Sequence, residues 1–284
     1  MSVFFNRTLM IISLLTLNSP EVYSKCMDKI LDLQPKANFR IECEGLSYEI
    51  TIPLSCPVSG CGLVFDVHGR AMNAELQERS SNIAYLGRRK GYIVVQPEAP
   101  WRNWVQDYYP KVASMMKNII SYWPVDPDRV HMTGFSQGGL MSWYFACNHS
   151  DILASIAPLS YHIKESCYGP DKKNPLVSVL YAHGKKDIVV PWKRGTKETK
   201  EAIISGYTFS DSPEIIDRSN RYSWTRWQNE EFTFEFFEHR FTAWLILGHC
   251  FPGSTGSFFS CRQSFPKKWG AMVLDFFKKH PKIH

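Results

Sequence analysis

Gly134-Phe135-Ser136-Gln137-Gly138-Gly139 sets a serine among glycines, directly after the apolar run Arg129-Val130-His131-Met132-Thr133. Leu140 to Cys147 then shows a helical pattern. A strand, a sharp turn and a helix, with serine at the apex, make a nucleophile elbow. Glycines beside the serine leave room for a turn that crowds its neighbours. The six letters alone fit an ordinary Ser/Gly turn equally well, so the partners must decide. A serine hydroxyl is a weak nucleophile at neutral pH. It needs an imidazole base, and the base needs an acid that fixes its tautomer and stabilises the imidazolium. On a strand–helix scaffold of this kind the chain order is serine, acid, histidine, each beyond the carboxyl end of a strand.

Both partners occur in that order. Leu176 to Ala182 has the pattern of a buried strand and leads into His183-Gly184-Lys185-Lys186-Asp187. Asp187 in isolation would also suit a helix cap or turn. Its rivals Asp171, Asp211 and Asp217 follow no apolar strand. Thr242 to Leu247 is expected to be a last strand, leading into Gly248-His249-Cys250-Phe251-Pro252-Gly253. Among the other histidines, His68 comes too early for the base. His131 lies within the strand before the serine, and His183 shapes the turn before Asp187. Ser136, Asp187 and His249 are therefore the candidate nucleophile, acid and base. The tetrahedral intermediate also needs backbone N–H donors. Gln137, next after the serine, supplies one, and the loop His68-Gly69-Arg70 after an early strand supplies the other. Trp101, Trp104, Trp192 and Phe251 each follow one of these strand ends. They are candidates to grip substrate, although aromatic residues are as often core.

These residues need a scaffold that delivers several strand ends to one edge. The patterns expect strands at Ser47–Leu54, Gly62–Val67, Tyr92–Gln96 (stopped by Pro97), Ala154–Pro158 and Phe232–Phe237. Helices are expected at Ala74–Arg89, Pro110–Trp123 and Ala271–Lys279. Strands that are apolar throughout, alternating with helices, indicate an α/β fold with a mostly parallel sheet covered on both faces. No repeat, low-complexity tract or Pro/Gly/Ser-rich linker divides the 284 residues.

Met1 to Ser24 has a basic start, a short apolar core and a small residue at its end, the pattern of a secretory signal peptide. The expected organisation is a leader at 1–24 and one catalytic domain at 25–284. The apolar run is too short to span a membrane, and no later segment could. All eight cysteines follow the leader, so disulfides in a secreted or periplasmic protein are expected, with Cys56–Cys61 and Cys250–Cys261 as local pairs. No C-x-x-C or clustered Cys/His pattern points to zinc, and the chemistry needs no cofactor. The formal charge of +6 is spread over short pairs such as Lys185-Lys186, which argues against a nucleic-acid partner.

The stretches Leu63–Gly69, Gly91–Ala99, Asp128–Met141, Tyr181–Pro191 and Gly248–Ser254 resemble the polyhydroxybutyrate-depolymerase-type esterases, a family related to feruloyl and acetyl-xylan esterases. The resemblance implies an α/β-hydrolase fold and a secreted serine esterase. Ser136, Asp187 and His249 are carried over as nucleophile, acid and base, and the Arg70 and Gln137 amides as oxyanion donors. Its first implied substrates are short hydroxyalkanoate esters or oligomers. Feruloyl or acetyl esters on polysaccharides are the alternative. Many relatives have cysteine where Arg70 stands. No linker and substrate-binding module follows the last expected helix, which favours an esterase over a degrader of crystalline polymer. A serine peptidase on the same fold is the less favoured reading, because nothing in the chain resembles a gating domain and no acidic pair is placed to hold a free amine. A non-catalytic binding module does not explain three filled positions. Phe209 to Trp227 matches no stretch of that family and is expected to be an insert, with a cover over the site as one role for it.

Overall fold

The computed structural model describes Cys26 and residues 38–56, 60–210 and 212–283. The expected leader, 1–24, lies outside the described residues. The elements in chain order are β1 (Phe39–Cys43), β2 (Leu46–Thr51), β3 (Cys61–Val67), α1 (Ala74–Ser81), α2 (Ile83–Arg89) and β4 (Tyr92–Glu98). There follow α3 (Tyr109–Tyr122), β5 (Val125–Phe135), α4 (Gln137–Asn148), β6 (Ser155–Leu159) and β7 (Ser178–Gly184). The chain continues through α5 (Thr196–Gly206), β8 (Glu214–Arg218), β9 (Tyr222–Gln228), β10 (Thr233–His239) and α6 (Trp269–Lys279).

Among the described residues the strands form one sheet of ten, in the order β1-β2-β4-β3-β5-β6-β7-β10-β9-β8. The six from β4 to β10 in that order are parallel, and antiparallel pairs extend both edges. The centre is parallel because its strands are apolar on both faces. In β3, Leu63, Phe65 and Val67 enter one core and Val64 the other. In β7, Val179 and Tyr181 enter the first core, and Leu180 and Ala182 the second. That two-residue alternation needs cover on each side. Val112 and Met116 of α3, Trp143 of α4 and Ile203 of α5 fill the first core. Ile83 of α2 and Trp269 and Phe277 of α6 fill the second.

Four expectations change. The helix expected at Ala74–Arg89 is broken at Asn82, which adopts φ +59° and donates its N–H to Glu78 O. Asparagine tolerates this left-handed cap, so the periodicity continues while the helix turns. β4 passes through Pro97 instead of stopping there, because its pairing with β3 ends at Val95 and the proline needs no donor on that side. Thr242–Leu247 is not a strand. Ala243 N–H closes back on Leu247 O at 2.7 Å, with Trp244 and Leu245 in solvent. The Phe209–Trp227 insert does not cover the site, because its residues build β8 and most of β9 at the sheet edge.

Candidate active site

β5 ends at Phe135 and α4 begins at Gln137, leaving Ser136 alone at the turn with φ +54° and ψ −117°. A non-glycine residue there is strained, and its surroundings must hold it. Ser136 N–H donates to Leu159 O at the end of β6, 2.9 Å away. Gly138 lies against the Val67 and His68 carbonyls so closely that no side chain fits, and Gly134 lies equally close to Gly138. The elbow therefore presses the start of α4 onto the end of β3.

That contact also positions the loop after β3. A Cβ on Gly69 would stand 3.2 Å from Ser136 Cβ. His68 is fully buried. Its Nε2 accepts Ala99 N–H at 3.1 Å, so the ring's proton sits on Nδ1, which donates to Gly69 O at 2.7 Å. Burial pushes the imidazole down to about 4 and keeps it neutral. Trp104 Nε1 donates to His68 O at 2.9 Å. Gln137 completes the clamp: its Oε1 accepts Trp104 N–H at 3.0 Å and its Nε2 donates to Asn103 Oδ1 at 3.1 Å. The Ala71 and Met72 amides bond Arg102 O and Gly69 O, whereas among the described residues the Arg70 amide makes no such loop bond. Gln137 is the first residue of α4, so its amide has no intrahelical partner. Two donors are thus free beside Ser136, while the Arg70 side chain points to solvent.

Asp187 and His249 meet on the other side. Gly184 and Gly248 touch backbone to backbone, and a Cβ on Gly248 would stand 2.5 Å from Asp187 N. Only glycines let these loops approach so closely. His249 Nδ1 donates to Asp187 Oδ2 at 2.7 Å. Asp187 Oδ1 accepts the Val189 and Val190 amides at 2.9 and 2.8 Å. His183 Nε2 donates to Val190 O at 2.9 Å and stands 3.4 Å from Asp187 Oδ2. Burial pushes the Asp187 carboxyl up, but hydrogen bonds from His183 and His249 outweigh it and hold it down at about 2. An ionised Asp187 on Nδ1 leaves His249 Nε2 as the lone pair for a base. The Phe135 ring packs 4.6 Å from the His249 ring, so the residue before the serine touches the imidazole. Cys250 is bonded to Cys261, which ties down the chain beyond His249.

The expected local disulfides are both present, with Cys26–Cys43 and Cys147–Cys167 besides. His239, Cys250 and Cys261 bring potential ligand atoms within 4.8 Å of one another, but the two sulfurs are bonded to each other. The four aromatic candidates separate. Trp101 is 97 % exposed. Trp104 is buried and holds the loop. Trp192 is half-buried behind Asp187, 5.8 Å from the His183 ring. Phe251 is fully buried at 4.4 Å from Phe135, so it is a packing residue and lines no opening. The clamp made by His68 and Asn103 was not expected; His183 was expected to shape the turn before Asp187, without its partner Val190. Their one signal is a histidine ending an otherwise apolar strand, where burial demands a partner.

A family model described as phospholipase/carboxylesterase matches residues 98–219, a span that holds Ser136 and Asp187. An acetyl xylan esterase from Aspergillus awamori superposes with TM-score 0.56 at 15 % identity, covering 71 % of this chain and 92 % of that one. A thermostable esterase superposes with TM-score 0.52 at 15 % identity, covering 86 % and 63 %.

The fold is that of an α/β-hydrolase.

Among curated proteins, feruloyl esterase B of Piromyces equi is 32 % identical over 87 residues, 30 % of this chain and 16 % of that protein. The probable feruloyl esterase C of Aspergillus niger is 26 % identical over 170 residues, 57 % and 62 % of the two. The chain spans less than two thirds of these relatives' lengths. No helix among the described residues is long and apolar enough to cross a membrane.

Proposed function

We propose that this protein is a serine carboxylesterase that removes acetyl or feruloyl groups from polysaccharide through an acyl-enzyme. The observation that carries the reading is the 2.7 Å hydrogen bond from His249 Nδ1 to Asp187, opposite a serine at φ +54°. In this reading Ser136 Oγ attacks the ester carbonyl while His249 Nε2 takes its proton. The oxyanion rests on the Arg70 and Gln137 amides. The alcohol leaves with the proton held on His249, and water repeats the sequence to free the acid. The relatives' names favour acetyl and feruloyl esters over hydroxyalkanoates, which the sequence put first. Four disulfides support export to an oxidising compartment.

Hydrolysis of p-nitrophenyl acetate, methyl ferulate and a 3-hydroxybutyrate dimer by purified protein, beside Ser136→Ala, tests the reading. Turnover of acetate or ferulate that falls by about 10⁴-fold in the variant is expected. Preference for the hydroxybutyrate ester would return the first substrate reading, and equal rates in both proteins would remove the mechanism.

A further inference from the structure

Trp101 is the most exposed large apolar side chain of the described residues, at 97 %. It adopts φ +57°, and Arg102 after it φ +55°. Two successive non-glycine residues in the left-handed region are strained, and such strain persists only where the surroundings impose it. Here they do. Arg102 O accepts Ala71 N–H at 2.8 Å, Arg102 N–H donates to Ala99 O at 3.1 Å, and Gln137 holds Asn103 and Trp104. The loop is a fixed mount, fastened to the Arg70 loop and to α4. What it presents is an indole in water. A packing role would bury that ring.

A second indole stands on the other half of the site. Trp244, 71 % exposed, lies on the turn closed by Ala243 and Leu247. Leu247 bridges to Asp187, and His249 N–H donates to Ile246 O at 2.9 Å. The Arg262 guanidinium sits 4.4 Å from the Trp244 ring centroid. One indole is thus fixed to the elbow side and the other to the Asp187–His249 side.

We propose that Trp101 and Trp244 are stacking platforms for sugar rings of a polysaccharide chain laid across the site. This rests on the esterase reading and names the polymer that carries the ester. The negative face of an indole attracts the C–H hydrogens on the flat face of a pyranose. An open platform suits a chain that stays hydrated on its other side. The Arg262 guanidinium stands on the Trp244 ring, and Arg102 follows Trp101 in the chain. Hydroxyls or uronate groups satisfy a guanidinium, whereas a polyester surface would strip its water and return little. That charge favours an acidic, hydroxylated polymer over an apolar one.

Affinity electrophoresis in gels containing ester-free glucuronoxylan tests the platforms without turnover. Failure of the esterase reading, seen as equal turnover by wild type and Ser136→Ala, leaves this retardation unaffected. The full-length Ser136→Ala protein is expected to be retarded. Adding Trp101→Ala or Trp244→Ala should weaken binding about two- to tenfold each, and tyrosine at either position should restore part of it. A Tm near that of the parent shows that each variant is folded. Adsorption to polyhydroxybutyrate film without retardation by xylan would overturn the proposal. So would retardation unchanged in the alanine variants, tyrosine variants no better than alanine, or binding to neither polymer.

Discussion

His249 Nδ1 and Asp187 Oδ2 lie 2.7 Å apart, and the same oxygen is 3.4 Å from His183 Nε2. The carboxylate is thus shared between the base and a buried histidine behind it. Asp187→Asn keeps the shape but loses the charge that fixes the imidazole proton on Nδ1. A fall in kcat of about 10³- to 10⁴-fold is expected on p-nitrophenyl acetate. Because the folded carboxyl is held at about 2, below its ordinary 3.8, its stabilisation is present above 3.8 and lost as pH falls through about 2. The variant's Tm should therefore vary less with pH across that window.

The loop proposed to hold the oxyanion is fastened by His68. Replacing it by leucine removes the acceptor for Ala99 N–H and the donor to Gly69 O. Both proposed amide donors lie next to this loop. kcat/KM should fall by about 10- to 100-fold, less than deletion of a direct donor typically costs. Trp104→Phe, which loses the indole bond to His68 O and part of the ring packed on His68 but keeps both His68 bonds, should fall less. Equal kinetics in His68→Leu would detach this loop from catalysis.

Cys250 and Cys261 close a loop of sequence separation 11 immediately after His249. Replacing both by alanine should cost about 3 kcal/mol in urea unfolding, the chain-entropy value for so short a loop. kcat should fall in protein that is still folded, because His249 loses its anchor. An unchanged kcat at reduced stability would show that the anchor is not needed.

Glu78 takes no part in the proposed chemistry. Its carboxylate accepts the Ala84 and Tyr85 amides at 2.8 and 3.0 Å. Burial pushes its carboxyl up to about 7 against those bonds, with the Asp66 charge adding to the rise. The folded state then keeps a proton that the unfolded chain releases above 4.5, so stability is lost as pH rises from 4.5 through about 7. Tm should be higher at pH 5 than at pH 7.5, and Glu78→Gln should reduce the difference. Buried Asp66, also raised by burial, would keep the remainder.

The centre of the fold was legible because its strands are apolar on both faces. Ser136 and Asp187 follow the ends of β5 and β7, whereas the expected strand before His249 is a turn. The edges were not legible. Glu214–Arg218 has little buried surface and pairs only along the margin, so its pattern carries little periodic signal. Ala243–Leu247 is apolar like a strand, yet it turns and shows Trp244 and Leu245 to water. Periodicity cannot tell an apolar run that packs from one that is displayed. The His68 and His183 bonds depend on three-dimensional neighbours such as Ala99 and Val190, which no local pattern names.

The central claim is that His249 and Asp187 activate Ser136. Phosphorylation by diethyl p-nitrophenyl phosphate, with release of p-nitrophenolate, tests it directly. Mass spectrometry should find one diethylphosphoryl group per chain, on the peptide containing Ser136, formed far more slowly in His249→Ala and Asp187→Asn. An adduct on another serine such as the buried Ser160, no adduct in folded protein, or labelling equally fast in the variants would contradict the account.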